Sequence, residues 1–492
     1  MKLSFFKKKD SKKSSKRSND VATRAFASYL KGWNSEVHAI FQTSSHDRES
    51  SDLVAGWKVG RDQERFNPYA KRALNLKVSN IVGPRGIFLK AQFRDDMDKN
   101  LSEINRELER EHKIWSQKGS CETTGRWSFR DCQALLLRTL IREGEAIARH
   151  VRGWDNEHGY AVQLISPQRL DPSLNKELSN GNRIILGIEL NEWDRPVAYY
   201  FTAPIKGKIL MAGKRYDRID AKDIMHFFLP QEIERTRGSS EFLVVDGRMK
   251  LLNGFEEASV MAARIGAMKL AFLEKKDAPQ NGYTGDDDEE DEELIMSPEP
   301  GEIPKLPDGY TVKEVDWDYP NNEFSDFRKA QLRGVSSGLD VNYNELTMDY
   351  EGVNYTSLRA ASISDRDNYE SLQVFMKENF CMPTYREWLR MAVLKNVFKK
   401  VTIDNWRDFM LAGWQARRWK WVDPYKEAKG YEVLKTLQVM SEDDIASEIG
   451  NDLEDVYADI KKAKDLRDEL GLDKELSDGF EKPRERDQLD SL

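Results

Sequence analysis

Eight consecutive carboxylates, Asp286, Asp287, Asp288, Glu289, Glu290, Asp291, Glu292 and Glu293, interrupt this 492-residue chain between two segments with helical spacing. Like charges at that density repel one another, and ordering them costs conformational entropy, so the block is excluded from a packed core. The fold must therefore be built on either side of a solvated excursion. Two readings of it stay open: an acidic surface loop without a specific task, or a projecting loop whose charge faces a partner or an open channel.

The rest is long enough for about three folding units at roughly 100–200 residues each. With 39% hydrophobic and 33% charged residues the composition is that of a folded protein, and twelve Trp call for extensive packing or a partner surface. Cys121, Cys132 and Cys381 are odd in number and lack CxxC spacing, which argues against disulfides and structural zinc and fits a reducing compartment. No apolar run reaches the roughly 18 residues of a membrane span, and the start of the chain has no apolar signal segment. No membrane partner is expected. The net charge of −8 conceals a basic, Ser-rich start containing Lys7, Lys8, Lys9, Lys12, Lys13, Lys16 and Arg17. That segment suits either contact with nucleic acid or an acidic protein, or a solubilising tail. Overall negative charge argues against a broad grip on a phosphate backbone, but not against letting one pass.

Apolar spacing predicts helices over 19–32, 64–82, 101–117 and 128–144, with 33–52 polar and irregular. Period-two patterns then predict strands over 145–151, 161–165, 183–190, 197–201 and 224–228, an α+β unit with antiparallel hairpins. From Val244 helical spacing resumes and holds for about thirty residues. Leu251, Phe255, Ala258, Ala262, Ile265 and Phe272 mark one face, and Ala263, Gly266, Ala267 and Ala271 another that is small enough for close helix approach. After the acid block and a proline-rich stretch come a strand over 310–315 and a helix over 320–338. A long helix is predicted over 367–380, pausing at Pro383 and resuming through Val397, followed by a charged helical tail over 431–472.

Catalytic signatures are missing. The six His, at 38, 46, 112, 150, 158 and 226, include no i,i+4 pair and no HExxH. The glycines at 83 and 86 lack the phosphate-binding lysine pattern, and there is no GxSxG elbow. No catalytic residue, no metal and no cofactor is expected, and the chain does not read as an enzyme.

Several ordered segments resemble the lambda-like family of tailed-bacteriophage portal proteins. They begin with Arg65, Tyr69, Ala70, Asn75, Val78, Asn80, Ile81, Val82 and Gly83, and continue through Leu164, Ile165, Ser166, Pro167, Arg169, Leu170 and Asp171. Gly187, Ile188, Glu189 and Leu190 followed by Arg195, Pro196, Val197, Ala198 and Tyr199 resemble a family hairpin. Ile224, His226 and Phe227 through Arg235, Arg237 and Gly238 resemble its entry into a long helix. Asn354, Tyr355, Ser357 and Arg359 match a later segment, with Thr356 where Ser is usual, and Trp421, Val422, Asp423, Pro424 and Lys426 match another. The likeness spans about residues 20–475.

The resemblance implies a portal fold: an α+β wing, two stem helices, a clip between them and a helical crown. On this chain it divides residues into a basic tail (1–20), wing (21–245), first stem helix (246–277), clip with acidic loop (278–319), second stem helix (320–340), a wing and tunnel-proximal helical region (341–430), crown (431–475) and flexible tail (476–492). It also implies a closed ring, usually of twelve subunits, at one capsid vertex of the virion, assembled in the host cytoplasm. The implied partners are double-stranded DNA without sequence specificity, the terminase motor, the major capsid or scaffold protein, and a head-completion connector. Leu251, Phe255, Ala262, Ala263, Gly266 and Ala267 are candidates for the ring interface, because a cyclic assembly needs two different surfaces on each subunit. Arg359 and Arg366 are candidates for phosphate-facing or intersubunit charges near the tunnel, or for ordinary surface ion pairs. Asp286 to Glu293 are candidates for docking on the clip side. The alternative function is a structural scaffold that does not conduct DNA.

Overall fold

The computed structural model describes residues 45–94, 101–202, 215–229, 232–267, 271–275, 310–314, 324–419, 424–449, 451 and 453–470. The helix expected over 19–32, the basic start and the acid block lie outside the described residues. Helix and sheet are mixed, as an α+β reading requires.

Two helices meet at Asn67: α1 (Ser45–Phe66) and α2 (Pro68–Ile81). The predicted single helix over 64–82 is thus divided, because the Asn67 side chain accepts from the Tyr69 and Ala70 amides at 2.9 and 3.1 Å and Pro68 occupies the first turn. Residues 45–52, expected to be irregular, are helical. Leu53 and Trp57, one turn apart, are buried against the sheet core, and that tertiary contact outweighs the polar local sequence. A short strand β1 (Phe88–Lys90) and α3 (Ser102–Trp115) follow, then α4 (Phe129–Glu143). Ser128 and Asp131 form a reciprocal capping box at the start of α4, and Gly144 closes its end in the left-handed conformation.

Strands β2 (Glu145–Arg152), β3 (Tyr160–Ile165) and β9 (Ile224–Phe228) form an antiparallel sheet in the order β3-β2-β9. A second antiparallel sheet runs β4 (Lys176–Glu177), β5 (Arg183–Ile185), β6 (Ile188–Leu190), β7 (Pro196–Thr202) and β8 (Tyr216–Asp220), each strand beside the next. The single strand predicted over 183–190 is a two-strand hairpin. Leu186 and Gly187, with φ of 51° and 85°, make the tight turn whose twist suits adjacent strands.

The long helix predicted from Val244 ends sooner than its spacing suggests. Helix α5 covers Asp246–Ala267, and β10 (Ala271–Lys275) pairs antiparallel with β11 (Tyr310–Glu314). Ala271 and Phe272 therefore belong to a ribbon rather than to a helix face. A short apolar run fits both periods, and β-branched Thr311 and Val312 opposite offer a ladder that decides between them.

Next come α6 (Phe324–Gly338), α7 (Tyr343–Thr347) and α8 (Tyr355–Met376). Helix α8 begins a full three turns before the predicted 367, because Asn354 caps it by accepting from the Ser357 amide at 2.8 Å. No pause occurs at Pro383. A π-helical turn, Lys377–Cys381, runs directly into α9 (Met382–Leu394), and Pro383, which has no backbone N–H, sits in the first turn of α9, where it is tolerated. Strand β12 (Gly413–Gln415) pairs with β1, and the predicted continuous tail is three helices, α10 (Pro424–Thr436), α11 (Glu442–Ile449) and α12 (Leu453–Leu470).

The main core joins α2, α4, the β3-β2-β9 sheet, α8 and α9. At its centre the His112 ring lies 5.0–6.2 Å from the rings of Trp115, Phe129, Tyr385, Trp388 and Trp414. The tryptophans counted in the sequence are thus partly spent on packing. A second core lies between α1 and the five-stranded sheet.

Candidate functional site

Helices α5 and α6 form an antiparallel pair: Phe255 lies against Phe324 and Phe327 with ring centroids 5.3 and 4.5 Å apart, while Gly334 meets Arg248 and Gly338 meets Val245. A methyl group at Gly338 would approach Val245 to 2.5 Å, so the absence of a side chain there sets the helix spacing. Within the chain, the glycines of α6 thus make a close approach to the start of α5, at Val245 and Arg248. Arg328 Nε lies 3.3 Å from Glu256 Oε1, and the Tyr69 hydroxyl donates to Glu256 at 3.2 Å while accepting from Arg328 at 3.1 Å. Burial raises the Tyr69 phenol above its ordinary value, which keeps it a neutral donor in that bridge. Gln63 also donates to Asp246 at 2.9 Å, so α1 and α2 brace α5 along its length.

The six ring-interface candidates divide accordingly. Phe255 is engaged in the α5–α6 contact, and Ala262 and Ala263 are half-buried. Leu251 is exposed, as are Val260 (68% exposed) and Met261 (56%), and they leave apolar surface on α5 among the described residues. Gly266 and Ala267 lie in the last helical turn, and their surroundings fall outside the described residues. The two outer apolar residues, Val260 and Met261, escaped the sequence reading because they interrupt its helical spacing.

Arg359 and Arg366 stand two turns apart on α8, and the structure brings them together. Both line a cavity of about 350 Å³ with Glu427, Tyr431, Leu434 and Met440 of the C-terminal region. Arg359 Nη2 is 3.6 Å from Glu427 Oε1, and the Arg366 guanidinium lies 5.8 Å from the centre of the Trp419 ring with its Nε buried and unpartnered. With Glu448 also in the lining, this is a charge-balanced seam between α8 and the C-terminal helices.

The acid block Asp286 to Glu293 lies outside the described residues, but its exits are fixed. Lys275 pairs with Tyr310, so residues 276–309 leave and return at one end of the β10–β11 ribbon.

A charge cluster that sequence reasoning missed anchors the sheet region. Arg237 and Glu145, both without measurable exposure, form a two-nitrogen ion pair, with Arg237 Nε 2.7 Å from Glu145 Oε2. His226 Nε2 lies 2.9 Å from the same oxygen, and Arg237 also donates to the Leu170 and Leu186 carbonyls at 3.2 and 3.0 Å. Despite a burial cost that pushes the other way, Arg237 and His226 hold the Glu145 carboxyl at about 2. Gly238 beside it is obligatory, since a methyl group there would come within 2.0 Å of the Gly144 carbonyl oxygen. Opposite charges 92 residues apart leave no local signal. Among the described residues no group of three or more His, Cys, Asp or Glu is placed to hold a metal, and no helix is long and apolar enough to cross a membrane.

Residues 40–373 match the family model described as phage portal protein, lambda family. The chain is 33% identical over 412 residues to the "Probable portal protein" of Halomonas phage phiHAP-1, covering 83% of this chain and 79% of that protein. It is 21% identical over 420 residues to "Portal protein B" of Escherichia phage lambda, covering 76% and 74% respectively. A solved chain in the neck of an empty gene transfer agent particle aligns with a TM-score of 0.44 and 13% identity over 81% of this chain and 93% of that one. This chain belongs to the lambda family of phage portal proteins.

Proposed function

We propose that the protein is the subunit of a portal ring at one capsid vertex, a non-catalytic conduit for double-stranded DNA and a platform for the terminase motor and head-completion connector. Family membership carries this reading. The antiparallel α5–α6 pair, with the β10–β11 ribbon at its far end, supports an assignment of these helices as the two stem segments and of the ribbon with residues 276–309 as the clip. The first stem helix then ends at Ala267, ten residues before the boundary expected from sequence at 277. On this reading the exposed apolar face of α5 meets a neighbouring subunit, and the acid block, at the clip, is presented to a docking partner. Residues 45–245 supply the wing, and α10–α12 the crown inside the head.

Depleting the protein during infection tests the role as a conduit. Heads assembled without it are expected to contain no packaged genome, and supplying the protein from a second gene copy is expected to restore filling. DNA-filled heads in its absence would overturn the reading.

A further inference from the structure

A small cavity between β1, the π-helical turn, β12 and α11 is lined by three cations, Lys90, Lys377 and Arg418, and by no acidic residue. Its volume is about 120 Å³, room for one tetrahedral oxyanion with some hydration.

Two of the cations are partly compensated from outside the cavity, Lys90 by Glu109 at 3.8 Å and Arg418 by Glu370 at 3.0 Å. Lys377 has neither a hydrogen bond nor an ion pair among the described residues, although it is half-buried. Burial and the neighbouring Arg418 both depress its ammonium below the ordinary lysine value. Lys377 begins the π turn, which displaces side chains from the regular helical track. Trp414 also lines the cavity, and its indole N–H is buried with no acceptor. Glu370, already bonded to Arg418, offsets the Lys377 charge only in part, and a half-buried cation without a hydrogen bond and an orphan donor are each costly, so an anion in the cavity they line would relieve them.

We propose that this cavity is a binding site for a single phosphate group, with Lys377 as its principal charge. Gln92 and Asn451 supply amides at its rim. Because Ser447 lies in the last turn of α11 and Asn451 just beyond it, a bound phosphate ties that helix to the body, where its only buried residue is Ala446.

Titration of the full chain with inorganic phosphate, against chloride at matched ionic strength, tests this by calorimetry and by thermal melting. Phosphate is expected to bind saturably, to raise Tm, and to slow hydrogen exchange of residues 442–449. Lys377→Met is expected to fold at least as stably in chloride, since its ammonium has no partner to lose, and to weaken phosphate affinity about tenfold or more. A short DNA duplex that competes with inorganic phosphate in the wild type but not in Lys377→Met identifies the group as a backbone phosphodiester. Phosphate binding without competition identifies it as a free anion, and either result supports the site. Equal effects of phosphate and chloride, or full phosphate affinity in Lys377→Met, would overturn it.

Discussion

Buried ionisable groups carry consequences that individual substitutions expose. Arg237 is held by a carboxylate and several carbonyls, so Arg237→Met strands Glu145 in a dry interior and is expected to cost about 3–5 kcal/mol in chemical denaturation. A loss below about 1 kcal/mol would mean that water reaches the pair. Acid sensitivity has a separate origin. Burial lowers His112 from 6.5 to about 3 and His150 from 6.5 to about 4, so both stay neutral in the native core. Below pH 6.5 the unfolded chain binds protons that the native chain refuses, and stability falls until the pH reaches those lower values. Glu145 acts later: its contribution, complete above the unfolded value of 4.5, is lost as pH falls toward about 2. Tm is therefore expected to decline between pH 6.5 and 4, before the Glu145 pair protonates, and His112→Phe is expected to flatten that decline. A pH-independent Tm across this window would contradict the assignment of neutral buried histidines.

At the scale of elements, the α5–α6 pair rests on aromatic contact and on the glycines that let it close. Phe255→Ala removes the ring that meets Phe324 and Phe327 and is expected to destabilise the pair by about 1–3 kcal/mol. Faster hydrogen exchange confined to α5 and α6 would register it; unchanged exchange there would show that the pair is held by α1 and α2 instead. Much of this organisation was legible in sequence, because the periodic segments α3 and α4, the latter with its capping box, and the strands β2, β3, β7 and β9 follow local rules. Where local rules failed, a distant partner had intervened. Leu53 and Trp57 extend α1 through a polar stretch by packing on a sheet formed a hundred residues later, and β11 claims Ala271–Lys275 from the preceding helix. The site residues fared similarly: the pairing of Arg359 and Arg366 follows from their spacing, whereas their burial against α10 depends on a contact no window contains.

For the whole molecule, the decisive property is closure. Leu251, Val260 and Met261 are exposed apolar residues of α5 among the described residues, and on the proposed reading they belong to a heterologous contact with a neighbouring subunit. Repeated around an axis, that contact closes into a ring if the rotation between neighbours divides the circle, and otherwise grows into a filament. Net negative charge suits passage of a polyanion, since few phosphates are neutralised and few counterions released. Electron microscopy of the purified full-length protein, with particle mass measured on the same sample, tests this most directly. The account predicts a discrete closed ring, expected at twelve subunits, with a central hole wide enough for duplex DNA; monomers, open filaments or closed-ended particles without a hole would contradict it.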